Sequence, residues 1–156
     1  MPSFPVLLLA LLIPFGVQAS EPITDYGYRA IKAYPQSPTV FTQGLEFKNG
    51  LLYEGAGKFG ESQLLIRKLD SDEALNSVAL DSKLFGEGIT LLNDKLYQLT
   101  WKSRRGFIYD AQSLEPKGEF EVAGEGWGLT NNGKQLILSD GSELISFIDP
   151  ENFEIS

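Results

Sequence analysis

The sequence predicts an all-β protein built as a β-propeller, of which it holds about three blades. Three observations carry this prediction. A segment that begins with glycine recurs without a gap at Gly44–Tyr53, Gly88–Tyr97 and Gly128–Ile137. Each repeat contains short apolar runs separated by turn residues, which is typical of a four-stranded propeller blade of about 40 residues. The chain of 156 residues also contains 16 Gly and 8 Pro, which favours many turns.

The middle repeat shows the expected strands in order. The first predicted strand covers residues 89–92, and Asn93-Asp94 follows as a two-residue hairpin loop, because both residue types tolerate positive φ. The later strands are predicted at 95–101, 106–109 and 118–122. A plain β-meander or sandwich is the alternative, but the gapless repetition favours the propeller.

The repeats place the blades near residues 41–80, 85–122 and 125–156. A further strand is predicted at residues 28–34, where the last strand of a preceding blade would lie. Its closing partner is missing from the sequence, and the third repeat stops as its fourth strand begins. Because known propellers have at least about four blades, we expect a truncated chain with an open sheet edge.

The first twenty residues contain no charged side chain and carry an apolar stretch at 6–17 that Pro14 and Gly16 interrupt. That stretch is shorter than the ~20 apolar residues a membrane-spanning helix needs. Small residues follow it, so residues 1–19 are predicted to be a secretory signal peptide, with the partial propeller domain at 20–156. This predicts a secreted or periplasmic protein without a membrane segment after cleavage. An uncleaved anchor is the alternative, since the segment lacks Lys and Arg.

Composition excludes several kinds of partner and site. Thirteen Lys and Arg against 21 Asp and Glu give a net charge of −8, which argues against nucleic-acid binding. The chain contains no Cys and no His. It therefore offers no disulfide, no thiolate and neither the nitrogen nor the sulfur ligands that zinc prefers.

A candidate site emerges from the alignment of the repeats. The residue before the leading glycine is Gln43, Glu87 or Trp127, in that order along the chain. Equivalent positions of successive blades lie on one ring around the propeller axis, and this position varies in chemical kind where most positions are alike. We therefore expect a shared ligand site facing the central channel. Turn residues and core packing are the alternatives, because a Glu between glycines is often part of a turn and a Trp is often buried.

Counting back from the hairpins adds neighbours to this site. The count puts Glu87 opposite Thr100, with Trp101 adjacent. It also puts Asp140 opposite Trp127, unless the Asn132-Gly133 turn shifts the register by one residue.

Two further positions belong to the same predicted face. Phe41 and Phe85 each precede a ring position by two residues, so they share its side of the strand. Glu125 aligns with Phe85 and is a candidate second carboxylate, an arrangement that would suit glycoside hydrolysis.

Several motifs occur together in one order, and they resemble the plant and bacterial glutaminyl-peptide cyclotransferases of the papaya-latex type. The resemblance implies a five-bladed propeller and an enzyme without metal or other cofactor. Such an enzyme converts N-terminal glutaminyl residues to pyroglutamyl residues and releases ammonia. The motifs are Phe41-Thr42-Gln43-Gly44-Leu45, Tyr53-Glu54-Gly55, Phe85-Gly86-Glu87-Gly88-Ile89-Thr90, Leu96-Tyr97-Gln98-Leu99-Thr100-Trp101 and Gly124-Glu125-Gly126-Trp127-Gly128-Leu129.

The resemblance also implies roles for matching residues. The general acid/base falls on Glu87, and the substrate-binding side chains fall on Phe41, Gln43, Trp101 and Trp127. The implied partners are peptides or proteins with N-terminal Gln, and the full-length protein is expected to be a monomer. Two other hypotheses remain open: a non-catalytic propeller that binds a peptide or sugar, and an inactive fragment of the enzyme.

Overall fold

The computed structural model describes residues 24–156, and the described residues contain β-strands and no helix. The chain divides into two compact units, residues 1–31 and 32–156. Of the first unit, the described residues 24–31 form no regular secondary structure. The predicted signal peptide at 1–19 lies outside the described residues. From residue 24 onward, no helix is long and apolar enough to cross a membrane.

The second unit contains three antiparallel sheets, each built from strands in chain order. Blade one comprises β1 (Thr42–Lys48), β2 (Leu51–Ala56), β3 (Gln63–Lys68) and β4 (Ala74–Ala79). Blade two comprises β5 (Gly86–Leu92), β6 (Lys95–Thr100), β7 (Arg105–Asp110) and β8 (Pro116–Glu121). Blade three comprises β9 (Leu129–Asn131), β10 (Leu136–Ser139) and β11 (Ile145–Ile148), and an isolated bridge joins Ile148 to Ile155.

The inner hairpins are closed by residues with positive φ. Asn93 and Asp94 have φ values of 50° and 59°, and Leu92 pairs with Lys95 across them. This confirms the predicted primed turn, whose backbone twist matches that of the flanking strands. Asn49 and Gly50 form the corresponding turn of blade one, with φ values of 53° and 81°.

The strand predicted at residues 28–34 is wrong, because this segment contains no strand. A strand needs a neighbour for its N–H and C=O groups, and no described strand pairs with it. The chain just beyond it instead contacts the buried ion pair between Arg67 Nε and Glu54 Oε2 (3.2 Å). Gln36 Nε2 donates to Glu54 Oε1 (2.6 Å), and the Pro35 carbonyl accepts from Arg67 Nη1 (3.5 Å).

The core lies between the blades. Side chains of β6 alternate between its two faces, so Leu96 packs towards blade one while Tyr97 and Leu99 pack towards blade three. Blade one contributes Tyr53, Leu64 and Ile66 to the first cluster. Blade three contributes Leu136, Leu138 and Ile148 to the second. Blade two is thus buried on both faces and holds its neighbours in place.

The leading glycines mark the closest approach between successive blades. A Cβ atom on Gly44 would lie 2.6 Å from the backbone nitrogen of Ile89, and one on Gly88 would lie 2.5 Å from that of Leu129. The Gly88 N–H also donates to the Trp127 carbonyl at 2.8 Å. Only glycine leaves room for backbones to meet at these distances, which explains why the repeat begins with glycine.

We expect Gly88→Ala to destabilise the fold by about 1–3 kcal/mol, because the new methyl group meets fixed backbone atoms. Urea or thermal unfolding measures the loss. Gly118→Ala is the matched control in the same blade: its nearest contact would be Ile108 Cδ1 at 3.7 Å, so its stability should stay close to that of the parent chain. Equal stability of the two variants would contradict the close-approach explanation.

Candidate active site

The inner strands of blades one and two change register at the ring positions. In blade one the shift lies between Thr42 and Gly44, so Gln43 lies in the irregularity. In blade two it lies between Gly86 and Ile89 and contains Glu87. Thr100 therefore pairs with Gly86, and the prediction that it lies opposite Glu87 is wrong. A bulge inserts an extra residue and re-aims the side chain there, which hairpin counting does not include.

Blade three has a corresponding shift. The Trp127 N–H donates to the Ser139 carbonyl (3.1 Å), while the Ser139 N–H donates to the Gly128 carbonyl (3.0 Å). Ser139 is thus the backbone partner of Trp127, and the predicted pairing with Asp140 is wrong by one residue. The shift arises at Trp127-Gly128 itself, because the pairing of Leu129 with Leu138 keeps the counted register.

These irregularities surround one cavity of about 350 Å³. Four of the predicted site residues line it together with Phe85: Gln43, Glu87, Trp101 and Trp127. Phe41 is not part of this lining. Its ring meets the Phe85 ring edge-on, with centroids 6.4 Å apart, and the residue is half exposed.

Aromatic rings form one side of the cavity. The Phe85 and Trp101 rings pack edge-to-face with centroids 5.6 Å apart. Phe59, from the loop between β2 and β3, packs against Phe85 at 5.5 Å and is 59% exposed. Sequence reasoning missed Phe59, whose only signal is an aromatic residue placed between Gly57 and Gly60 in a turn.

Glycines make room for the rings at the positions equivalent to Trp101. A Cβ on Gly57 would lie 2.4 Å from the Phe85 ring, and a Cβ on Gly141 would lie 2.8 Å from the Trp127 ring. Gly141 also has a φ of 84°, which other residues rarely adopt. Each ring therefore packs against a backbone segment that carries no side chain.

Glu87 is the half-buried carboxyl group of the cavity. Gln43 Nε2 donates a hydrogen bond to Glu87 Oε1 at 3.2 Å. Burial, and to a lesser degree the negative charge of Glu125, raises the pKa of Glu87 to about 7. At neutral pH both protonation states are populated, so the group can accept a proton and return it.

Glu125 contacts both tryptophans at their indole nitrogens. Its Oε2 accepts hydrogen bonds from Trp101 Nε1 (2.8 Å) and Trp127 Nε1 (3.0 Å). The Trp127 bond is the leading cause that lowers the pKa of Glu125, and the Trp101 bond and Lys102 act in the same direction. The candidate second carboxylate is thus ionised and accepts hydrogen bonds from both indoles.

The described residues hold no group of three or more His, Cys, Asp or Glu side chains arranged to bind a metal ion. The reactive side chains of the cavity are a carboxyl group, a carboxamide and two indoles. This set suits proton transfer and the binding of a polar or cationic group.

The raised pKa of Glu87 predicts a pH dependence of stability. Its ordinary pKa is 4.5, so between about pH 4.5 and pH 7 the folded protein keeps a proton that the unfolded chain has released. Its contribution to stability is therefore present below pH 4.5 and falls as pH rises to 7. Glu87→Gln removes this dependence. In urea unfolding, the stability of the variant relative to the parent chain should increase as pH rises across this range. A constant difference in their free energies of unfolding would contradict the raised pKa.

Comparison with known proteins supplies the family. A family model described as glutamine cyclotransferase matches residues 6–156. The glutaminyl-peptide cyclotransferase of Arabidopsis thaliana is 35% identical over 148 residues, which cover 89% of this chain and 46% of the plant protein. This chain therefore spans about half the length of that curated relative.

Solved structures agree with this result. The crystal structure of Myxococcus xanthus glutaminyl cyclase superimposes with a TM-score of 0.75 at 30% identity, over 82% of this chain and 54% of that one. The WD40 domain of Neurospora crassa Pan2 has a TM-score of 0.62 at 11% identity, over 74% of this chain and 34% of that one, and shares the propeller fold alone. The three sheets are blades of a partial β-propeller, and the chain belongs to the glutamine cyclotransferase family.

Proposed function

We propose that the protein is a glutaminyl-peptide cyclotransferase, which converts an N-terminal glutaminyl residue to a pyroglutamyl residue and releases ammonia. The observation that carries this proposal is the half-buried Glu87, hydrogen-bonded to Gln43 in a cavity lined by indoles. Family membership and the name of the plant relative support the same reaction.

The reaction is intramolecular and balanced by one proton transfer. The α-amine nitrogen of the substrate attacks its own γ-carboxamide carbon and forms the lactam C–N bond. The bond from that carbon to the amide nitrogen breaks, and the proton lost by the amine leaves with this nitrogen as ammonia. The protein therefore has to hold the folded conformer of the substrate and move one proton.

Each task has a side chain in the cavity. Glu87 takes the proton from the amine and delivers it to the leaving nitrogen, which its pKa of about 7 allows. The faces of Trp101 and Trp127 bind the substrate amine in its cationic form, which releases its extra proton to solvent before the neutral amine attacks. Gln43 orients Glu87 through its amide and leaves its own carbonyl for the substrate. Phe41 supports the apolar side through Phe85.

We further infer the setting of the reaction. The apolar segment at residues 6–17 and the small residues after it support export, so the site works in a secreted or periplasmic protein. The substrates are peptides or proteins with an exposed N-terminal Gln, and the full-length protein acts as a monomer.

We expect Glu87→Gln to lower kcat by roughly 10²- to 10⁴-fold with little change in substrate affinity, because glutamine keeps the shape of the side chain but not its proton affinity. The measurement is ammonia release from Gln-β-naphthylamide by a protein that contains this sequence. Glu143→Gln, which changes an exposed glutamate of blade three, is the control. Normal kcat in the Glu87 variant would assign proton transfer elsewhere, and substrate binding without any ammonia release would favour a non-catalytic binding propeller.

Trp101→Ala and Trp127→Ala should raise KM by roughly 3- to 30-fold and lower kcat less, because they remove binding walls and leave the proton carrier. Trp127→Phe, which keeps an aromatic face, should recover most of the KM. The melting temperature separates this role from core packing: Trp127 is 46% exposed, so its loss should change stability little. A large fall in melting temperature with unchanged KM would show a core residue.

A further inference from the structure

The two tryptophans of the sequence share one hydrogen-bond acceptor. Glu125 Oε2 lies 2.8 Å from Trp101 Nε1 and 3.0 Å from Trp127 Nε1. An indole has a single donor, so each ring has its one polar interaction with this oxygen. Trp101 follows β6 of blade two, and Trp127 precedes β9 of blade three, so the carboxylate joins two blades at the cavity.

The backbone holds Glu125 in this place. The Gly126 N–H donates to the Trp101 carbonyl at 3.0 Å. A Cβ on Gly126 would lie 2.8 Å from the Thr100 carbonyl oxygen, so the segment lies directly against the end of β6. These main-chain contacts fix the segment from which the Glu125 side chain extends, and the two indole N–H groups hold its carboxylate.

The charges around Glu125 keep it ionised. Both indole N–H groups and Lys102 favour the charged form, and Asp140 opposes it. Lys102 Nζ also lies 4.1 Å from the centre of the Trp101 ring. Glu87 lines the cavity, and the negative charge of Glu125 adds to burial in raising the pKa of Glu87.

We propose that Glu125 is a positioning residue of this site: its carboxylate holds Trp101 and Trp127 as two walls of the cavity and keeps a negative charge beside Glu87. One residue thus links the shape of the cavity to the protonation of its acid. Its role in cyclisation rests on the proposed function, but its effects on the indoles and on Glu87 do not.

Glu125→Gln and Glu125→Ala separate the two effects. Glutamine retains an oxygen that can accept from both indoles but has no charge, whereas alanine removes the acceptor as well. The chain has two indole N–H groups, so a ¹⁵N-correlated NMR spectrum of the full chain reports both as separate peaks, assigned with Trp101→Phe and Trp127→Phe. The pKa of Glu87 is read from the ¹³C signal of its carboxyl group, assigned with Glu87→Gln.

We expect Glu125→Ala to shift both indole peaks upfield and to speed their exchange with solvent at least tenfold. Glu125→Gln should leave the indoles protected and lower the pKa of Glu87, because a repelling charge is gone. Glu143→Gln, with the same loss of charge at an exposed position of blade three, should change neither signal. A merely structural role for Glu125 would not move the pKa of Glu87 in a variant that keeps the indoles in place.

Two results would overturn the proposal: protected indoles in Glu125→Ala, or an unchanged pKa of Glu87 in Glu125→Gln. If Glu125→Ala loses its β-sheet circular dichroism, Glu125→Asp replaces it, because the shorter carboxylate keeps the charge but cannot reach both indoles. None of these measurements requires turnover. The protein could show both expected effects, faster indole exchange in Glu125→Ala and a lower pKa of Glu87 in Glu125→Gln, and yet have no cyclisation activity. That result would refute the proposed function and leave this inference standing.

Discussion

The close approach of inner strands at the leading glycines is the constraint on which the site depends. At Gly88 the backbone of blade two meets that of blade three so closely that a Cβ would lie 2.5 Å from Leu129 N and from the Trp127 carbonyl oxygen. The register of each inner strand shifts beside this contact. The shift turns Gln43 and Glu87 towards the cavity that Trp127 also lines. Packing between blades and the geometry of the site therefore have one cause.

Equivalent positions of the repeat carry different residue types around the cavity. Blade two carries Trp101 where the other blades carry Gly57 and Gly141. Both glycines lie beneath rings, Phe85 and Trp127, that a side chain would displace. The repeated backbone thus produces an asymmetric cavity. At the equivalent position, blade two contributes the Trp101 side chain to the lining, whereas the glycines of the other blades leave space for neighbouring rings.

The faces between the blades follow the same pattern. One strand position is Glu54, Gln98 and Leu138 in successive blades, and all three are buried. Glu54 is paired with Arg67, whereas the amide of Gln98 has no hydrogen-bond partner among the described residues. Burial of a charge is tolerated where a partner and further hydrogen bonds accompany it. The equivalent strand position therefore carries a charged residue in blade one, where Arg67 pairs with Glu54, and an apolar residue, Leu138, in blade three.

The sequence by itself determined the repeat, the all-β class and the inner hairpins, because these depend on local spacing and on residues such as Asn93 and Asp94 that tolerate positive φ. It also singled out Gln43, Glu87 and Trp127, since equivalent positions of a repeat lie at the same height in successive blades, and Trp101, since the hairpin count places it near Glu87. Other features were decided only by tertiary structure. The register shifts, the contribution of Phe59 and the double hydrogen bond to Glu125 all arise where separate blades meet. Residues 28–34 have a strand-like pattern but no strand, because pairing requires a neighbour that local periodicity does not specify.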